Sequence, residues 1–304
     1  MGNRTDILRA RTAGDLIQLL DKLLSSADLY YGHGTETSVD EAAALVFHVM
    51  SLDHNGTAEQ YALEATDAQR ERIAALLEQR IRTRHPLPYL LNEAWFAGLS
   101  FHVDERVLIP RSPIAELIAD RFQPWVDPAA VRNILEIGTG SGCIAIACAM
   151  AFPDALVTAT DISAAALEVA ATNVRRHGVD DRVQLIETDH VDGVSGRFDL
   201  IVSNPPYVPQ DEMLNLPQEY RVEPALGLVS GADGLDSARR ILQDAPKLMS
   251  PRAVLVLEVG AQCHVLDQAF PDLAFTWLEF EHGGIGVGLL HAEDFAAGLT
   301  GDPA

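Results

Sequence analysis

From Asn133 to His291 the chain alternates short, apolar, β-branched runs with stretches of helical periodicity, and this constrains its fold more than any other feature. Strands are predicted at Ile134–Ile137, Leu156–Thr160, Val183–Glu187, Leu200–Ser203, Val254–Glu258, Phe275–Glu279 and Val287–His291. Helices are predicted between most of them, at about 141–151, 163–177, 234–249 and 261–269. Strands interleaved with helices bury both faces as a doubly wound, mostly parallel sheet, which makes the chain α/β. The link Phe280–Gly286 is too short for a helical crossover, so the last two strands pair as a hairpin, leaving one antiparallel strand among the seven. Ligands are expected at the carboxyl ends of the parallel strands.

Four strand ends carry chemistry. The first strand runs into Glu136-Ile137-Gly138-Thr139-Gly140-Ser141-Gly142, a GxGxG turn that lets a ligand approach the backbone closely and opens a helix. Asp161 ends the second strand, where a carboxylate can bind both ribose hydroxyls or simply cap the next helix through Ile162-Ser163. Asp189 follows the third strand, placed to accept from an adenine amine, and Glu136 can attract a cationic group. No basic residue lies in the turn to neutralise a pyrophosphate. Ribose, adenine and a positive centre without phosphate describe S-adenosylmethionine better than a dinucleotide. The fourth strand stops in Asn204-Pro205-Pro206-Tyr207. The prolines stiffen this loop, which offers a side-chain amide, a carbonyl followed by a residue without N–H, and an aromatic face. That set suits a planar nitrogen bearing two hydrogens. The other reading is a proline-rich turn that caps a strand.

Residues 1–93 read as a helical domain. Leu16, Leu19, Leu20, Leu23 and Leu24 form a helical stripe, while Ser38 with Glu41 and Thr66 with Gln69 fit capping boxes. His33, between Gly32 and Gly34, is either a contact for a partner or part of an interhelical turn. His85-Pro86-Leu87-Pro88 ends the helix that contains Ile73 and Ile81. Residues 94–110 form a connecting arm, with Ala94–Ala97 and Ser100–Val103 paired as a hairpin, and 111–304 the sheet domain. Ser112 and Pro113 start a helix through about Phe122, and Arg111 before it either meets a carboxylate or stays on the surface. The loop Glu219–Gly234 serves as a lid or binding surface, or is purely structural, and the tail after Ala292 is expected to fray.

Lys+Arg 22 against Asp+Glu 44 gives a net charge of −22, which repels nucleic-acid backbones and attracts a basic protein, or only aids solubility. Cys143, Cys148 and Cys263 have no CxxC spacing, so neither a disulfide framework nor a zinc site is indicated, and the first two read as buried thiols. The beginning of the chain lacks an apolar signal core and no segment reaches membrane-spanning length, so a reduced, cytoplasmic protein is expected.

The glycine turn together with Asn204-Pro205-Pro206-Tyr207 resembles the HemK-type family of protein glutamine N(5)-methyltransferases. Tyr30-Tyr31-Gly32-His33-Gly34-Thr35, Ala94-Trp95-Phe96, Val103–Leu108, Pro110-Arg111-Ser112-Pro113-Ile114 and Glu219-Tyr220-Arg221 resemble its PrmB branch, which methylates a glutamine of the large-subunit ribosomal protein L-three. The likeness runs from about residue 28 to 291. The sister branch, acting on release factors, typically reads Pro-Arg-Pro-Glu-Thr at 110–114, and His190 stands where relatives usually carry Leu or an aromatic.

The resemblance implies a Rossmann-like methyltransferase sheet behind a helical domain that recognises substrate. It implies S-adenosylmethionine as cofactor, S-adenosylhomocysteine as product and no metal. Glu136, Gly138, Thr139, Gly140, Gly142, Asp161, Ile162, Asp189 and Asn204 would hold the cofactor, with Asn204, Pro205 and Tyr207 catalytic. Asn204, Pro205, Pro206, Tyr207, Arg111 and Glu223 would bind substrate, with the Asn204 oxygen and Pro205 carbonyl accepting the two amide hydrogens and Tyr207 packing on the amide plane. The expected partner is a basic ribosomal protein, with no membrane, no sequence-specific nucleic-acid binding, and a monomer or weak dimer. Rivals are release-factor methylation, nucleic-acid exocyclic-amine methylation of an extruded base, and a non-catalytic cofactor-binding scaffold.

Overall fold

The computed structural model describes residues 2–54 and 56–298, and it divides into two compact units. Met1–Ala94 with Pro217–Val222 make the smaller one, and Trp95–Leu216 with Glu223–Ala304 the larger. The sequence reading placed 217–222 in the sheet domain and treated 94–110 as a separate arm. In the structure the first segment belongs to the helical unit and the arm, from Trp95 onward, to the sheet unit.

The smaller unit contains α1 (Gly2–Arg9), α2 (Ala13–Ser25), α3 (Ser38–Met50), α4 (Asp67–Thr83) and α5 (Leu87–Leu91). Leu16, Leu20 and Leu24, one turn apart on α2, are buried against Leu45, Val46, Ile73 and Leu77, while Leu19 and Leu23 flank them. Reciprocal Thr12–Asp15, Thr37–Asp40 and Thr66–Gln69 boxes open α2, α3 and α4. The second corrects the predicted Ser38–Glu41 box by one residue. Ser38 donates instead to Asp21, and Glu41 is buried against Arg80, whose Nε donates to it at 2.7 Å. Glu219, with its side chain wholly buried, lies 3.6 Å from Arg80 and 2.9 Å from Arg84, and accepts from the Tyr30 amide at 3.0 Å. Two arginines thus hold the segment Pro217–Val222. His33 is 3% exposed with its ring centroid 4.5 Å from that of Tyr220, so it packs inside the unit and is not a surface contact.

A two-stranded sheet, β1 (Ala94–Phe96) with β2 (Leu99–Phe101), follows. Next come α6 (Ile114–Ala119), β3 (Asn133–Ile137), α7 (Cys143–Ala151), β4 (Leu156–Asp161), α8 (Ala164–His177), β5 (Val183–Glu187) and β6 (Phe198–Ser203). The chain closes with α9 (Asp236–Asp244), β7 (Met249–Glu258), α10 (Cys263–Ala269), β8 (Thr276–Trp277), β9 (Val287–His291) and α11 (Ala292–Gly298). The seven strands lie in the order β5-β4-β3-β6-β7-β9-β8. Neighbours are parallel except at β9, which runs antiparallel to both β7 and β8. Leu135, Ile137, Ile201, Leu255 and Leu257 face Leu235, Ile241, Leu242 and Leu266. Their alternates Ile134, Leu200, Val202, Val254 and Val256 are equally buried, so both faces are covered. The order reverses at β3, which opens a crevice at the carboxyl ends of β3, β4 and β6.

Several element ends differ from expectation for local reasons. α6 stops at Ala119 because Arg121 and Phe122 turn left-handed, with φ of 50° and 56°, which buries Phe122 completely. α9 stops at Asp244 because Pro246 follows in a 3₁₀ turn. β8 keeps two residues where five were expected. Ala292–Gly298 form a helix with Phe295 buried, where fraying was expected, and 299–304 lie outside the described residues. No helix among the described residues is long and apolar enough to cross a membrane.

Candidate active site

The crevice holds a cavity of about 310 Å³ lined by the glycine turn, the ends of β4 and β6, and the segments 106–112 and 224–227. That volume is within the range of small-ligand sites. The turn is built on β4. Gly138 N and Thr139 N both donate to the Thr160 carbonyl, at 2.9 and 2.8 Å, which folds the end of β3 over its neighbour. Gly138 and Gly140 have φ of +78° and +54°, and a Cβ on either would meet nothing within 4 Å, so the backbone there borders open space.

Acids hold this turn. Glu136 is 1% exposed, and its Oε2 accepts from the Thr139 hydroxyl at 2.5 Å and from Ala145 N at 2.9 Å. Burial pushes its carboxyl up to about 8 against those two bonds. Asp161 lies in the cavity wall at the end of β4, and both of its oxygens accept backbone bonds. One oxygen accepts from Ser163 N at 2.9 Å and starts α8, and the other accepts from Gly140 N at 2.8 Å and fastens the turn. Burial raises its pKa as well. Asp189 is half exposed and pairs with His190 Nδ1 at 2.6 Å. His190, at φ +51°, and Ile162, an apolar side chain 51% exposed, line the cavity beside it.

Opposite the turn, the Ser203 hydroxyl donates to the Ile137 carbonyl at 2.7 Å, tying the end of β6 to β3. Asn204, Pro205 and Pro206 follow and line the same cavity. Among the described residues the Asn204 carboxamide has no hydrogen-bond partner, and the Pro205 carbonyl accepts no bond. Val208 N to Leu228 O, at 2.8 Å, and Ser230 N to Val208 O, at 3.0 Å, pin the far side of the loop. Tyr207 is not in the cavity wall; its hydroxyl donates to Glu258 at 3.1 Å.

Arg111 and Glu223, both assigned to substrate, bind each other. The guanidinium forks onto the carboxylate at 2.6 and 2.8 Å, and the same carboxylate accepts from Ile109 N at 3.0 Å. Arg111 still lines the cavity, whereas the Glu223 side chain is fully buried. In the 219–234 loop, Pro224, Leu226 and Gly227 reach the cavity wall. Ser230 and Asp233 instead bond Ser237 N and Arg239. Asn173 on α8 joins the hairpin to the turn, since it accepts from His102 N and donates to the carbonyls of His102 and Ser141. Asn173 and Glu258 were missed by sequence reasoning, and Ser112 was read only as the start of a helix. Glu258 carried a signal there, an acid closing an apolar strand, much as Glu136 stands one residue before the end of β3.

The chain matches the family model "Methyltransferase small domain" over residues 116–220. It is 45% identical over 281 residues to a ribosomal protein uL3 glutamine methyltransferase of Francisella tularensis subsp. tularensis, covering 92% of this chain and 90% of that protein. It is 44% identical over 283 residues to the protein of the same name from Neisseria meningitidis serogroup B, covering 93% of each. Among solved structures, the hMettl16 catalytic domain in complex with a 3′UTR hairpin superposes with a TM-score of 0.51 at 18% identity, over 79% of this chain and 85% of that one. At that identity the likeness bears on the fold alone.

Proposed function

The chain belongs to the family of ribosomal protein uL3 glutamine methyltransferases, and from that premise we propose how its own residues move a methyl group from S-adenosylmethionine to the side-chain amide nitrogen of a glutamine in uL3. The observation that carries the site assignment is the unpartnered Asn204 carboxamide facing the same cavity as the open glycine turn. The cavity fits the donor: backbone bordering open space at Gly138 and Gly140, acids at the ends of β4 and β5, and an exposed Ile162 beside them. When bound, S-adenosylmethionine supplies a sulfonium methyl already activated for transfer.

An amide nitrogen is a poor nucleophile because its lone pair is delocalised into the carbonyl. Asn204 Oδ1 and the Pro205 carbonyl accept its two hydrogens, which orients the nitrogen toward the methyl and favours the positive charge that grows there. The surplus proton leaves the nitrogen to solvent. Asp161 and Asp189 would hold the donor through its ribose hydroxyls and adenine amine, with Ile162 beside the base. Glu136, bonded to Thr139 and Ala145, keeps the turn in shape. Arg111 presents a cavity wall held by Glu223. The product is S-adenosylhomocysteine, and the chemistry calls for no metal.

The net charge of −22 favours capture of a basic protein and disfavours a nucleic-acid substrate. The relatives' common name supports uL3 over release factors. Incubation of the pure protein with labelled donor and, separately, uL3 and a release factor tests this. Label confined to one glutamine of uL3 is expected. Label on the release factor alone, or none on either, refutes the assignment.

A further inference from the structure

Two hydroxyls from separate loops of the sheet unit meet on one buried carboxylate. Glu258 closes β7 and is 4% exposed. Its Oε1 accepts from the Tyr207 hydroxyl at 3.1 Å and its Oε2 from the Ser112 hydroxyl at 2.5 Å. Ser112 Oγ itself accepts from Ile114 N at 3.2 Å. The Tyr207 ring packs directly on Gly260, where a Cβ would stand 2.7 Å from its edge. Tyr207 continues the proline-stiffened loop that carries Asn204, and Ser112 follows Arg111 in another segment of the cavity wall.

We propose that Glu258 is a positioning residue for methyl transfer, one that fixes the loop carrying Asn204 and Pro205 relative to the segment carrying Arg111 by holding Tyr207 and Ser112 together. This rests on the transfer reaction above and adds a residue to it. As a carboxylate, Glu258 accepts from both hydroxyls at once. As the neutral acid, one of its oxygens becomes a donor, so one of the two bonds must reverse or break. The titratable groups that face it are Tyr207 and Arg111, the latter forked on Glu223. Its neighbours across the sheet, Ser203 next to Leu257 on β6 and Val287 on β9, do not titrate. Burial pushes Glu258 up to about 7, so the two-hydroxyl tie forms as pH rises through neutrality.

The test is Glu258→Gln, whose amide still accepts from one hydroxyl but turns a donor toward the other. The expected result is donor affinity and thermal midpoint close to wild type, kcat lower by roughly 10- to 100-fold with KM for uL3 little changed, and loss of a pH–rate inflection near 7. Tyr207→Phe should lower kcat to a similar extent, and the double variant should lose no more than either single one. A folded Glu258→Gln enzyme with kcat within about twofold of wild type and the inflection intact overturns the inference, as do additive losses. Should that variant fail to fold, Tyr207→Phe decides: wild-type kcat refutes the tie, and a lowered kcat with a displaced inflection supports it. Wild-type protein that methylates nothing would remove the reaction and this inference together, whereas active wild type beside an unimpaired variant removes the inference alone.

Discussion

Replacing Glu223 with Ala should destabilise the sheet unit more than it weakens substrate binding. The Glu223 side chain is fully buried, and it accepts two bonds from Arg111 and one from Ile109 N. Its removal takes the acceptor from Ile109 N and two bonds from a guanidinium that is only 21% exposed. Breaking a buried pair from one side costs about 3–5 kcal/mol, and the residual exposure of Arg111 places this case near about 3. For a unit of roughly 200 residues, that lowers the thermal midpoint by about 6–12 °C. Calorimetry gives the midpoint, and initial rates against uL3 concentration give KM. The reasoning fails if the midpoint stays within about 2 °C of wild type while KM rises about tenfold, because Glu223 would then meet substrate and not Arg111.

Asn204→Ala should reduce kcat by about 10²–10³-fold with donor affinity unchanged by calorimetry, since it removes an acceptor for the charge that develops in transfer. Equal losses of turnover and donor binding would contradict that role. Glu136 is pushed up to about 8 from an ordinary 4.5, so the folded state holds its proton more tightly than the unfolded one. That stability is full below about 4.5 and is lost as pH rises through about 8, and Glu136→Gln should flatten the fall of the donor-free midpoint between those values. An unchanged slope would show that Glu136 titrates normally. Arg80→Ala leaves Glu41 and Glu219 buried without their shared cation and should cost the helical unit about 3–5 kcal/mol in urea unfolding. A loss below about 1 kcal/mol would mean that water reaches those carboxylates.

Wherever covalent pattern alone dictates local structure, the sequence was legible. Apolar β-branched runs gave β5 and β9 their observed limits, the short link before Val287 required one reversed strand, and Gly138 and Gly140 take the left-handed conformations that their spacing announced. Asn204 could likewise be singled out, because a side-chain amide before two prolines at a strand end is a local arrangement. The roles of Arg111, Glu223, Tyr207 and His33 were not legible in the same way. Each meets a partner far along the chain: Glu223 meets Arg111, Tyr207 meets Glu258, and His33 meets Tyr220. Charge and aromaticity mark a residue as able to bind. Whether it binds ligand or protein depends on which opposite group the fold brings within about 3 Å, a question of burial and register that no spacing encodes. Sequence determined the sheet, the glycine turn and the amide loop, for these follow from local backbone chemistry. Tertiary structure alone decided which polar side chains are already bonded to one another, for only packing brings groups distant in sequence within reach.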